Sequence, residues 1–109
     1  MRILGFSKKW GKLGLSEFTT FRLPRKDADW FEEEVVQIVY KPRSKEREKL
    51  GIAKIIDKES RIISSITSLE AIADGFSEGR VEMWRWLLET HKGITLETPI
   101  DKLTLRWVK

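Results

Sequence analysis

Apolar and polar positions alternate with a period of two along much of the first two thirds of the chain, then switch to a helical period after Thr67. The alternation predicts a first strand at residues 2–6 and a second at residues 17–23. In the second, Phe18, Thr20 and Arg22 share one face and Glu17, Thr19, Phe21 and Leu23 the other. Phe21 and Leu23 are the expected core side, which leaves Thr20 and Arg22 facing a groove or solvent. Residues 35–40 (VVQIVY) are β-branched and give the clearest strand. Residues 41–49 (KPRSKEREK) are polar around Pro42 and predict an exposed hairpin connection. Residues 50–56 and 62–66 read as two further strands joined by a turn at 57–60.

Thr67 and Glu70 fit a capping box that opens a short helix over residues 68–73, ended near Gly75. Ser77 is the expected cap of a second helix, from about Glu78 to His91 and stopped by Gly93. Its Val81, Trp84, Leu87, Leu88 and His91 form a buried stripe, widened by Met83 and Trp86. A short strand at residues 94–98 and a closing strand at 103–108 complete the chain. In the closing strand Leu103, Leu105 and Trp107 share one face. The order β-β-β-β-β-α-α-β predicts the α+β class: a small mixed β-barrel with two short helices covering one opening.

At 109 residues the chain is expected to form one domain, residues 1–109, with a single core. Five Trp, five Phe and 40% apolar residues exclude a disordered chain. No apolar run reaches membrane-spanning length, and the apolar start is too short for a signal sequence, so no membrane partner is expected. The absence of cysteine excludes disulfides and thiolate metal sites and points to the cytoplasm. With one histidine, no metal site is expected; with no Gly-rich phosphate loop or Ser-His-Asp chain, no cofactor is either. His91 falls at a helix end beside Lys92 and has no catalytic partner at motif spacing.

Charge adds a candidate site. The formal net charge is +4. Asn is absent, Gln occurs once, and 35% of residues are charged, a thermophile-like composition that accounts for part of the Lys and Arg count. Residues 8–26 concentrate Lys8, Lys9, Lys12, Arg22, Arg25 and Lys26 around Trp10 and Thr20, with Glu17 the single acid. A guanidinium fork, a hydroxyl and several ammonium groups suit an anionic or polar ligand. Trp10 between lysines can stack on an unpaired base or plug the end of the barrel. Residues 27–34 hold five acids and either pair with this basic stretch or form a separate acidic patch. The loop at 41–49 is a second basic segment, a finger for nucleic acid or a solubilising loop. Exposed Trp10 or Trp30 would alternatively serve a protein partner.

Residues 13–22 (LGLSEFTTFR) resemble the signature of the ASCH family in the PUA-like superfamily. Residues 68–87, with Glu70-Ala71 and Asp74-Gly75-Phe76, are similar to its helical insert. Residues 51–55 resemble its central strand, and residues 103–107 its closing one. The resemblance implies a PUA-like barrel and an RNA-binding role through a basic cleft beside the signature strand, with Lys8, Lys9, Trp10, Lys12, Thr20, Arg22, Arg25 and Lys26 as binding residues. Some small members hydrolyse the acetyl amide of acetylcytidine with a Lys, a Thr and a Glu. Thr20 and Arg22 match the signature, while Glu17 stands where its lysine belongs. The hydrolase alternative therefore draws its amine from Lys12 or Lys9 and its carboxylate from Glu70 or Glu78. A non-enzymatic RNA-binding module is the expected function.

Overall fold

The computed structural model describes residues 1–8 and 10–108, so Lys9 of the candidate site lies outside the described residues. The elements are β1 (Arg2–Phe6), β2 (Glu17–Arg22), β3 (Val35–Tyr40), β4 (Glu48–Ile62), α1 (Ser68–Asp74), α2 (Arg80–Thr90) and β5 (Pro99–Trp107). A 3₁₀ turn, Gly11–Gly14, precedes β2, and a second, Ile63–Ser65, follows β4. The five strands form one mixed sheet in the order β1-β3-β4-β5-β2, with β1 parallel to β3 and every other pair antiparallel. The chain is thus a small α+β fold. The barrel expected from the sequence is not closed, because β1 and β2 are the two edges of an open sheet. No described helix is long and apolar enough to cross a membrane.

Two apolar cores hold this sheet. Leu4, Phe6, Phe18, Ile38, Ile55 and Leu105 pack in the first, on one side of the curved sheet. Phe21, Ile63, Ile66, Phe76, Met83 and Leu87 pack in the second, beneath the helices. Strand β2 lies between them, sending Phe18 into one core and Phe21 into the other. Of the two outcomes expected for its Thr20–Arg22 side, groove or solvent, the structure shows the groove: Thr20 is buried, Arg22 is half-buried, and both line a cavity.

The predicted pair of strands at 50–56 and 62–66 is instead one strand, β4, of 15 residues. The polar run 57–60 is not a turn: its backbone pairs with β5 from Asp57↔Thr104 to Ser60↔Asp101. A bulge between Ile55 and Asp57 bends the strand and lets it continue past the register break. Ile63 and Ile66 are both buried because the 3₁₀ turn places residues three apart on one side.

Helix α1 begins as predicted. Thr67 accepts from the Glu70 amide at 3.1 Å, and the Glu70 carboxylate accepts from the Thr67 amide at 2.9 Å. It ends on Gly75 at φ 119°, where an added Cβ would lie 2.5 Å from the Trp10 ring. Helix α2 differs from its prediction. It starts at Arg80 behind Gly79, which supplies no side-chain cap, and Ser77 lies in the preceding turn. The Glu78 amide is satisfied by Glu82 at 3.0 Å. Met83 and Leu87 are its buried pair, while Val81 and Leu88 are exposed and His91 is half-buried past its end. Residues 94–98 form a turn rather than a strand. Their carbonyls still receive the Ile63 and Ser64 amides, at 3.1 and 2.8 Å, and Ile94 and Leu96 still pack on the second core. The closing strand then begins at Pro99.

The acidic segment is tied mainly to cations outside the basic stretch. Glu34 pairs with Arg2 at 2.6 Å, Glu33 with Lys54 at 2.6 Å and Asp29 with Lys58 at 2.8 Å. The exception among the described residues is Arg25–Asp27 at 3.1 Å, a local surface pair.

Candidate nucleotide-binding cleft

A cavity of about 870 Å³ opens where the two cores meet. Its inner end is lined by Lys12, Thr20, Arg22 and Asp74, one side by Trp10, Phe76 and Trp86, and its mouth by Arg25, Lys41, Arg43 and Arg47. This volume falls in the range of small-ligand sites.

Each wall follows from the local fold. The 3₁₀ turn before β2 carries Lys12 inward, and its side chain is 3% exposed. Thr20 and Arg22 come from alternate positions of β2 and so share a face. Asp74 is the last residue of α1, and Lys12 Nζ donates to its Oδ1 at 2.8 Å. Burial pulls the Lys12 ammonium below its ordinary value and pushes the Asp74 carboxyl above its own; mutual attraction offsets each shift in part. Wherever the shared proton resides, the pair is neutral overall.

Arg22 is different. Its Nε approaches Thr20 Oγ1 at 3.3 Å and its guanidinium lies 4.6 Å from the centre of the Phe6 ring. Desolvation pulls it down to about 10, against a smaller opposing pull from Asp74. Among the described residues no carboxylate lies within ion-pair distance of it.

Trp10 packs between Phe76 and Trp86, with ring centres 5.2 and 6.3 Å away. It closes one side of the cavity, and Lys8 lies over it at 4.4 Å. The basic loop at the mouth is docked on β1 rather than free. The Lys41 amide donates to Phe6 O at 2.8 Å, and a Cβ on Gly5 would lie 2.6 Å from Pro42 Cγ. Only glycine lets the loop come this close.

The sequence-derived candidates thus divide. Trp10, Lys12, Thr20 and Arg22 converge in the cavity, and Arg25 stands at its mouth. Lys8 and Lys26 are exposed and do not line it. Lys12 is a buried, fixed group rather than a flexible surface cation. Glu70 does not line the cavity: Arg61 and Lys102 hold it at 2.9 and 2.7 Å, as a structural anchor. Glu78 is exposed in the turn before α2. The carboxylate that reaches the site is Asp74, which sequence reasoning missed. A signal was present, since an acid in the last turn of a helix opposes the helix dipole and needs another reason to be there. Lys41, Arg43 and Arg47, which belong to the basic loop at 41–49 read as a finger or a solubilising loop, also line the cavity.

Comparison with protein-family models, with curated proteins and with solved structures gives no match for this chain.

Proposed function

We propose that this chain is an RNA-binding module of PUA-like type, and that its cavity admits one unstacked nucleotide of a single strand. The observation that carries this reading is the joining of three chemistries in one cleft: a buried polar floor, an aromatic wall and a cationic mouth. Aromatic walls hold nucleobases by stacking, worth about 1–3 kcal/mol per base. Arg and Lys at the mouth suit the neighbouring phosphates. Arg25, Lys41, Arg43 and Arg47 are four cations at the mouth. If all four meet phosphates of a single strand, log affinity falls against log salt with a slope of roughly −3. Fluorescence anisotropy of a labelled single strand and a labelled duplex across a salt series tests this. Preference for the single strand with a slope near that value is the expected result, and absence of binding at low salt refutes the reading.

The Lys12–Asp74 pair favours a second reading, hydrolysis of an acetylated nucleoside. Perturbed titratable groups enclosed in a cleft are a mark of catalytic sites. Thr20 is the nucleophile in this reading, Lys12 the amine that accepts its proton, and Asp74 the carboxylate that orients the amine. Cytidine release from acetylcytidine that disappears in Thr20→Ala, with the fold intact, establishes it over simple binding.

A further inference from the structure

The inner end of the cavity holds two cations and one carboxylate, and its charges do not balance locally. Lys12 and Asp74 neutralise each other at 2.8 Å. Arg22 is left with a hydroxyl and an aromatic ring as neighbours. Arg22 is half-buried and lines the cavity, and a ring face compensates only in part for the missing counter-ion. The Phe6 ring and the Thr20 hydroxyl fix the guanidinium plane, so its remaining N–H groups form a fork set before any ligand arrives. Such a fork matches two oxygens of one oxyanion. Partial desolvation pulls Arg22 down to about 10, in the direction expected for a cation short of a counter-ion.

We propose that Arg22 receives a phosphate monoester, the terminal phosphate of a strand or that of a free mononucleotide. This deepens the RNA-binding reading and rests on it for the strand form of the ligand. The aromatic wall explains why the anion should carry a ring. Trp10, Phe76 and Trp86 stand beside the charged floor, so a base attached to the bound phosphate can lie against them. The cationic mouth explains phosphate rather than carboxylate, because Arg43 and Arg47 continue the positive path along which further phosphates of a strand would lie. The floor explains the terminus. Lys12, Thr20 and Asp74 line the cavity with Arg22 and are buried, so a ligand that reaches Arg22 meets packed side chains rather than an open channel for a continuous backbone.

The test compares wild-type protein with one short single strand bearing hydroxyl ends, a 5′-phosphate or a 3′-phosphate, and with a free nucleoside and its 5′- and 3′-monophosphates. Anisotropy reads the strands, and competition or thermal shift reads the small ligands. The expected result is that one phosphorylated end tightens binding by about tenfold or more, and that the matching mononucleotide competes while the nucleoside does not. That increment should persist at high salt, whereas a phosphate merely added outside the cleft changes the salt slope by only about 0.7. Arg22→Lys, which keeps the charge and loses the fork, should remove most of the increment that the phosphorylated end adds over the hydroxyl end. Strands that bind equally whatever their ends overturn the terminal-phosphate site and leave the RNA reading standing. A mononucleotide that binds where no strand does supports the Arg22 site and overturns the RNA reading. No response to either ligand overturns both. The wild-type comparisons need no variant, so a destabilised Arg22→Lys does not remove the test.

Discussion

Two carboxylates one helical turn apart on α1 have opposite fates. Glu70, in the first turn, receives Arg61, Lys102 and the Thr67 amide, and these hold its carboxyl well below the usual carboxylate range. Asp74, in the last turn, has Lys12 as its ion-pair partner inside the cavity, and burial pushes it above that range. Glu70 joins helix to sheet at a partly wet site, where several hydrogen bonds outweigh modest desolvation. Asp74 lies where desolvation exceeds what one partner returns. A buried ion pair is weak support for stability, so a pair that lines a cavity points to ligand chemistry instead.

The strongest way to break this contrast is to remove one partner of the buried pair. Lys12→Met should cost about 3–5 kcal/mol by leaving Asp74 uncompensated, and the double variant Lys12→Met with Asp74→Leu should recover most of it. Urea unfolding of the three proteins measures both effects. A double variant no more stable than the single would mean that the pair itself builds the fold.

Glu70→Gln should cost about 1.5–3 kcal/mol at neutral pH, because two cations lose their charged acceptor. The Glu70 pKa is depressed in the folded state, so its stabilisation is fully present above its unfolded value of 4.5 and is lost as pH falls below it. Wild type and variant should therefore converge in acid, and unfolding midpoints between pH 2 and 7 would show it. Asp74→Asn should show no such acid convergence, because the Asp74 shift has the opposite sign. Similar pH profiles for the two variants would erase the distinction.

Gly75 joins the two sites, ending α1 beside Asp74 and admitting Trp10 against the helix. Gly75→Ala should cost about 1–3 kcal/mol from its positive φ of 119° alone, with the Trp10 clash added. Indole fluorescence should report the displaced ring. The smallest stability effect is expected at the mouth. Exposed Arg43→Ala should leave stability within about 0.5 kcal/mol and flatten the salt slope of single-strand binding by about 0.7.

Local chemistry made several elements legible in advance. β-branched crowding marks β3, the Thr67–Glu70 box starts α1, and alternation assigns the Leu103–Leu105 face of β5. Each of these signals depends on neighbours within a few residues. The failures have a common cause in partners distant along the chain. Residues 57–60 read as a turn until β5 pairs with them, and residues 94–98 read as a strand although their partner is a 3₁₀ turn. The sequence by itself determined that a hydroxyl and a guanidinium would lie on one face of β2, because a strand repeats every two residues. Only the tertiary structure decided that Lys12 would turn inward and meet Asp74 from 62 positions away, while Glu70 turned to Arg61 and Lys102. Side-chain charge is written in the sequence, but the desolvation that sets its chemistry depends on everything packed around it.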